Sequence, residues 1–372
     1  MTANPAQRFA QRPLGVALAG LGFGEAVHLP ALRDAPLTEP VALWHPRAER
    51  LERACASSGL PGFSNFEALL ADPRVQAVVI ATPPQPRFAL AQAAIAAGKH
   101  LLLEKPVALE TSQVEALQRQ ALAAGVTVAV DFEYRAVPAF QQLAALLQQG
   151  EIGEPWLLKL DWLMGSRADP NRPWNWYSQR AAGGGVLGSL GTHAFDTLHW
   201  LVGPSRQVNA HCSTAIPERP LPDGQGRRAA VDAEDIALLQ LELETSGGRA
   251  LPAQVNLASV TRPGRGYWIE VYGSRGSLVL GSPNQSDYVH GFQLWRSNDA
   301  GSLEVIPPDP QLAFAHTWPD GRVAPVRRLI QWWAEAALEG RPMVPGLAEA
   351  ARSQAVCDRA LQAAASGLRQ PI

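Results

Sequence analysis

At 372 residues, with 47% hydrophobic and 18% charged side chains, the chain can bury a large core and is expected to form two domains rather than one. A formal net charge of −2 argues against nucleic acid or an anionic membrane as partner, and no apolar run approaches the length that crosses a bilayer. Three scattered cysteines, Cys55, Cys212 and Cys357, without metal-ligand spacing, point to reduced thiols in a cytoplasm and to no metal site.

Residues 1–12, rich in Ala, Gln and Arg, lack the apolar core of a signal peptide and are expected to form a loose arm. The run Val16 to Ala19 then reads as a buried strand, Gly20-Leu21-Gly22-Phe23-Gly24 as a glycine turn, and the following residues to Leu32 as an amphipathic helix. Glycines at such a turn let the backbone approach a pyrophosphate, whose charge suits the helix N-terminus. A dinucleotide is the expected ligand. The third glycine of the fingerprint belongs at position 25, where the chain has Glu25.

A second strand, Val41 to Trp44, ends about 20 residues past the glycines, where a carboxylate grips the ribose of NAD. His45, Arg47 and Arg50 stand there instead, and a guanidinium suits a 2′-phosphate. NADP(H) is therefore favoured over NAD(H), the other reading being that Arg47 and Arg50 are ordinary solvated residues at a helix start. Ser64 and Glu67 look like a capping box for a short helix. A third strand, Val75 to Thr82, runs into Pro83-Pro84; a helix reaches Gly98; a fourth strand, His100 to Leu103, follows. Ser112 and Glu115 can cap a helix that stops at Gly125, before a strand from Val126 to Val130. This alternation predicts an α/β, doubly wound parallel sheet over residues 13–130, with ligands at the carboxyl ends of its strands.

Glu104-Lys105-Pro106 closes the fourth strand at that edge. Only three of the 32 basic residues are lysines, and Lys105 either sits beside the reactive end of the dinucleotide, able to hold or exchange a hydroxyl proton, or is a solvated turn residue.

From Asp131 the pattern changes: Tyr134-Arg135-Ala-Val-Pro138 leads into an amphipathic helix ending near Gly150, and a strand follows from Trp156 to Leu163. The next loop carries Arg167, Arg172, Trp174, Trp176, Tyr177 and Arg180, a composition that serves a polyhydroxylated or carboxylated ligand and equally a loop packed over a sheet edge. Gly183-Gly184-Gly185 then opens a helix on which His193 and Asp196 are spaced to face each other. An imidazole steered by a carboxylate suits acid–base work on a carbinol, although a core histidine satisfied by hydrogen bonds fits the same pattern. Short alternating runs from Arg206 to Val305 predict a large open, mostly antiparallel sheet, residues 215–232 a long loop, and the end of the chain two helices, the second over Leu347 to Gly367. The second domain is expected over 131–322, with 323–372 packing back on the body and the open sheet pairing two or four copies of the chain.

Taken together, the glycine turn, Thr82-Pro83-Pro84, Gly98-Lys99-His100, Glu104-Lys105-Pro106, Glu151-Ile152-Gly153-Glu154 and Gly183-Gly184-Gly185 through Gly191-Thr192-His193 to Asp196 resemble the Gfo/Idh/MocA family of NAD(P)-dependent oxidoreductases over nearly the whole chain. The resemblance implies a Rossmann domain, an α/β domain with an open sheet, and an active site between them. It implies hydride transfer to or from a hydroxyl or carbonyl on a sugar, cyclitol or related polar molecule, with Lys105 and His193 as catalytic groups. Arg135, Trp174, Tyr177, Ser189 and Asp196 are the residues expected to meet substrate. Many active members have Asp where this chain has Ser189, and the variant resembles a subgroup that includes yeast-type galactose-regulon repressors. A non-catalytic NAD(P)-binding regulator and an NAD-dependent glycoside hydrolase are the alternatives.

Overall fold

The computed structural model describes residues 13–284, 287, 289–297 and 301–372, so the expected N-terminal arm lies outside the described residues. The first six strands are β1 (Leu14–Ala19), β2 (Thr38–Trp44), β3 (Gly62–Phe63), β4 (Ala77–Ile80), β5 (His100–Leu103) and β6 (Val128–Val130). They form one parallel sheet in the order β3-β2-β1-β4-β5-β6, with crossovers through α1 (Leu29–Asp34), α2 (Ala48–Ser58), α3 (Phe66–Ala71), α4 (Pro84–Ala96) and α5 (Thr111–Ala124). Strands covered by helices on both faces must be apolar on both faces, and every residue of β1 and β4 is buried. The strand order reverses between β1 and β4, which opens a crevice at their carboxyl ends.

Two caps differ from expectation. Asn65, not Ser64, opens α3, its side chain accepting from the Ala68 N–H at 2.7 Å. At α5 the first turn is held from outside, because Thr111 donates its N–H and its hydroxyl to Asp358 Oδ2 at 2.9 and 2.6 Å, while Ser112 turns onto Glu110. A partner 247 residues away leaves no local signature.

The second half begins with α6 (Pro138–Gln148) and β7 (Pro155–Leu163), then α7 (Thr192–Leu201) and β8 (Ser205–Ser213). Where a long loop was expected, β9 (Glu218–Pro220) and β10 (Arg228–Ala230) pair as a small hairpin. Strands β11 (Ile236–Glu244), β12 (Ala250–Ala258), β13 (Gly266–Gly273), β14 (Gly276–Ser282), β15 (Gln293–Ser297) and β16 (Glu304–Ile306) follow, then α8 (Val323–Leu338), α9 (Leu347–Ser366) and β17 (Gln370–Pro371). The sheet order is β16-β15-β14-β13-β7-β12-β11-β8-β17. It is mixed: β7 enters the middle of a later meander, antiparallel to β13 and parallel to β12.

Along β11 buried and less buried residues alternate, so Ala237, Leu239, Leu241 and Leu243 face one core with Leu251, Val255 and Leu257 of β12. Helix α9 ties the two halves together: Leu347 and Ala350 pack in the core of the parallel sheet, Val356, Cys357 and Ala360 in that of the large sheet. Helix α8 lies on the first domain, with Val326, Leu329, Ile330 and Trp333 packed in one cluster with Val16, Leu18 and Leu32. Trp333 is fully buried. Trp333→Ala is therefore expected to cost about 3–5 kcal/mol in urea-induced unfolding; a loss under about 1 kcal/mol would mean that α8 is not part of the cooperative core.

Candidate active site

The glycine turn is built as a cradle. Gly20 has φ +107°, and a Cβ there would lie 2.6 Å from the Ala81 carbonyl, so β1 and β4 can close at this point only around glycine. A Cβ on Gly22 would meet nothing within 4 Å, which leaves its backbone open to a ligand. At Gly24 a Cβ would come within 3.0 Å of Leu18 and 3.3 Å of Ala81. Gly24 thus performs the close helix-to-strand packing expected of a glycine at 25, and the one-residue offset is absorbed by a π-helical turn over Gly24–His28 that precedes α1. The Ala26 N–H is bonded to the Gly22 carbonyl at 3.2 Å, and the amides ahead of it form a helix end of the kind that suits an anion.

Around this turn, Arg50 donates to the Leu21 carbonyl at 3.3 Å, and the Phe23 ring meets His28 edge-on with the Arg322 guanidinium over it. His45 closes β2, buried, with Nδ1 accepting from the Arg47 N–H at 3.1 Å. Burial, with Arg50 and Arg47 nearby, lowers its pKa, so it is a neutral ring under the turn, and Arg47 stands exposed at the start of α2. The Thr82 hydroxyl is buried without a partner at the carboxyl end of β4, Pro83 caps α4 and Pro84 is its first residue. Amides at a helix end, an open glycine, two guanidiniums and an orphaned hydroxyl along one strand edge fit a bound dinucleotide.

Glu104, Lys105 and Pro106 follow β5 at the same edge, with a cis bond before the proline. Beneath them lies Arg87, 3% exposed, whose guanidinium donates to the carbonyls of Thr82, Glu104 (2.6 Å) and Pro106. Burial lowers its pKa to about 10, which leaves it charged. It ties the turn after β4 to the turn after β5. Its one sequence signal was that it is the only charged residue of α4.

From this platform Lys105 Nζ reaches the Ser189 carbonyl at 2.8 Å, in the turn that opens into α7 and His193. The Ser189 hydroxyl is turned away and donates to the Gly185 carbonyl at 2.7 Å. Lys105 and His193 therefore share one region between the domains, close enough that the ammonium, after burial, is the second cause of a His193 pKa well below the usual histidine value.

The carboxylate facing His193 is not Asp196. Asp196 is 1% exposed and takes both forks of the Arg135 guanidinium at 2.7 Å each, so these two expected substrate contacts are spent on each other. A buried charge demands this pairing. The His193 partner is Glu133, whose Oε2 lies 3.3 Å from Nε2. On the other side of Lys105, His28 Nε2 stands 2.8 Å from Glu104 Oε1 and 3.4 Å from Asp131 Oδ2. Burial opposes ionisation of Glu104, but His28 and Lys105 hold its pKa down to about 2, whereas burial and the charge of Glu104 drive Asp131 well up. Nothing in the sequence marks His28, Asp131 and Glu133 as neighbours, since they come together only where the segments after β1, β5 and β6 converge.

The aromatic and arginine loop also divides. Arg167 lies 3.5 Å over the Tyr177 ring, which stacks on Trp176, and Arg167, Tyr177, Ser189, Arg219, Glu234 and Asp235 line a narrow cleft of about 20 Å³, room for about one water, beside the Lys105 contact. Trp174 instead packs on the small hairpin, its indole N–H donating to the Ala230 carbonyl at 2.9 Å. Arg219 is structural, with both terminal nitrogens on the carbonyls of Arg167 and Asp169.

Comparison with known proteins agrees with this geometry. Residues 14–132 match the NAD-binding Rossmann fold model of the Gfo/Idh/MocA oxidoreductases and residues 144–371 their C-terminal alpha/beta domain. The chain is 45% identical over 351 residues to an uncharacterized oxidoreductase of Synechocystis sp., covering 94% of each. It is 32% identical over 231 residues to the levoglucosan dehydrogenase of Pseudarthrobacter phenanthrenivorans, covering 58% of each. Among solved structures, a levoglucosan dehydrogenase in complex with NADH and L-sorbose superposes with a TM-score of 0.85 at 25% identity, over 97% of this chain and 99% of that one. An oxidoreductase domain protein from Kribbella flavida gives a TM-score of 0.84 at 25% identity, over 97% and 100%. The two-domain cradle, the Glu-Lys-Pro turn and the matched models make this chain a member of the Gfo/Idh/MocA oxidoreductase family.

Proposed function

We propose that the protein interconverts a carbinol and a carbonyl on a sugar, cyclitol or related polar molecule. The observation that carries this reading is the meeting of Lys105 and His193 at the edge of the glycine cradle, through the 2.8 Å bond from Lys105 to the Ser189 carbonyl. The relatives named as levoglucosan, D-xylose and D-apiose dehydrogenases support the substrate class. When bound, a nicotinamide dinucleotide supplies the hydride chemistry. Gly20 to Gly24, Thr82 and the arginines near position 47 hold it; Lys105 holds the reacting oxygen with its ammonium; His193, kept neutral by burial, exchanges the hydroxyl proton. Arg167 and Tyr177 flank the Ser189 turn on the side proposed to face the rest of the polar substrate. Lys105→Met is expected to lower turnover of levoglucosan or D-xylose by about 10²–10⁴-fold with NADH binding intact. Survival of a tenth or more of the activity would remove Lys105 from its role.

We further propose a preference for NADP(H), supported by Arg47 and Arg50 standing where a ribose-binding carboxylate is otherwise needed. NADH in the levoglucosan dehydrogenase complex sets the opposing expectation. Calorimetric titration is expected to give NADPH about tenfold tighter than NADH, some 1.4 kcal/mol, with the margin erased in Arg47→Ala/Arg50→Ala. Equal or tighter NADH binding would sink the preference.

A second reading, a dinucleotide-responsive regulator without turnover, is favoured by Ser189, whose hydroxyl is occupied by Gly185. It requires a stoichiometric protein partner released by NADP(H) and inactivity on a broad sugar and polyol panel. Self-association through the open sheet is supported by Leu157, Leu238 and Tyr272, exposed on its strands. Sedimentation should then show a dimer or tetramer that Leu238→Arg weakens, and a monomer at all concentrations would refute it.

A further inference from the structure

We propose that Glu133 is the proton-holding partner of His193, so that the imidazole relays the reacting proton to a buried carboxylate instead of keeping it. The proposal rests on the oxidoreductase reading and adds to it a residue outside the glycine, Glu-Lys-Pro and histidine motifs.

Geometry comes first. The His193 ring, 3% exposed, is walled by Phe132, Tyr134 and Trp162 at centroid distances of 5.9, 5.2 and 6.1 Å. Its Nε2 faces Glu133 Oε2 at 3.3 Å, and its Nδ1 is buried with no hydrogen-bond partner. A neutral imidazole with its hydrogen on Nε2 has the carboxylate oxygen in reach at 3.3 Å and leaves the Nδ1 lone pair to accept. The two other groups that could serve the imidazole are engaged elsewhere: Asp196 by Arg135, and the Ser189 hydroxyl by the Gly185 carbonyl.

The proton balance follows. In oxidation the C–H pair leaves the carbinol carbon as hydride to the dinucleotide, the O–H bond breaks, and its electrons form the carbonyl. One proton remains. It bonds to His193 Nδ1 as the Nε2 proton passes to Glu133 Oε2, so the ring ends neutral as its other tautomer and Glu133 ends as the acid. Reduction runs the same transfers backwards.

The electrostatics select Glu133 from three buried carboxylates. Glu104, Asp131 and Glu133 cannot all ionise around one ammonium in a dry site. Glu104 is held ionised by His28 and Lys105, while burial and the charge of Glu104 drive the Asp131 pKa well up. Glu133 is faced by Lys105, Glu104, Asp131, His193 and Arg322; burial, opposed by Lys105 and reinforced by Glu104, pushes it up to about 7. A carboxyl balanced there exchanges a proton at small cost in either direction. The imidazolium form of His193 is disfavoured by burial and by Lys105, so the proton does not rest on the ring.

The test reads the carboxyl group directly. Infrared pH-difference spectra of the purified protein without substrate, between about pH 5.5 and 8.5, are expected to show a protonated carboxyl band that titrates near 7 and is missing in Glu133→Gln. In levoglucosan oxidation the acceptor is the ionised form, so wild-type kcat should fall as pH drops through about 7. Glu133→Gln should lose that limb and about 10²–10³-fold in kcat at unchanged KM and NADH binding, and Glu133→Asp should keep the limb. A titrating band or a pH limb that persists in Glu133→Gln overturns the relay. If the wild type turns over neither levoglucosan nor D-xylose, the substrate assignment fails and the infrared band alone decides the relay.

Discussion

A guanidinium removed from water holds the active edge of this protein in shape. Arg87 satisfies carbonyls of Thr82, Glu104 and Pro106 at once, in the turns that follow β4 and β5. Those carbonyls would otherwise be buried acceptors at strand ends, each costing about 1–3 kcal/mol if left unpaired. The charge-assisted bonds offset the burial of the cation, and the consequence is positional: the turn after β4 and the turn that carries Lys105 cannot move independently. The Lys105 ammonium on such a platform is held in position before any ligand arrives.

The second constraint is the charge count behind Lys105. Three carboxyls and two imidazoles are buried within reach of one ammonium, and low polarisability forces them into different states. His28 sits on the π-helical turn of the cofactor cradle, Glu104 beside Lys105, Asp131 after β6, and Glu133 beneath His193. The row therefore runs from the glycine turn to His193.

Much of this architecture was legible because its causes are local. Buried parallel strands read as apolar runs, turns as glycines with positive φ at Gly98, Gly125 and Gly367, and helices as periodic faces such as Val326, Leu329, Ile330 and Trp333. What escaped depends on distant partners. Thr111 is anchored by Asp358, Arg135 is neutralised by Asp196, and Trp174 is drawn to Ala230 on a hairpin that its proline-rich sequence conceals. The His193 and Asp196 spacing was seen, but spacing on a helix fixes only which residues are neighbours, not which of several buried cations a carboxylate will choose. Here the guanidinium won, since two parallel 2.7 Å bonds to Arg135 outweigh a single contact with an imidazole whose charged form burial disfavours.

That choice shapes the chemistry of the site. Had Asp196 been left for His193, the ring would have had a fixed anion at its side and a reason to stay protonated. With Asp196 locked to Arg135, the histidine depends on Glu133, a group whose own charge is in balance. The ion pair of Arg135 and Asp196 ties α7 to the segment after β6, the two elements that carry His193 and Glu133. Structural pairing and proton-handling chemistry are thereby kept on different carboxylates of the same small region, which lets one be rigid while the other changes state.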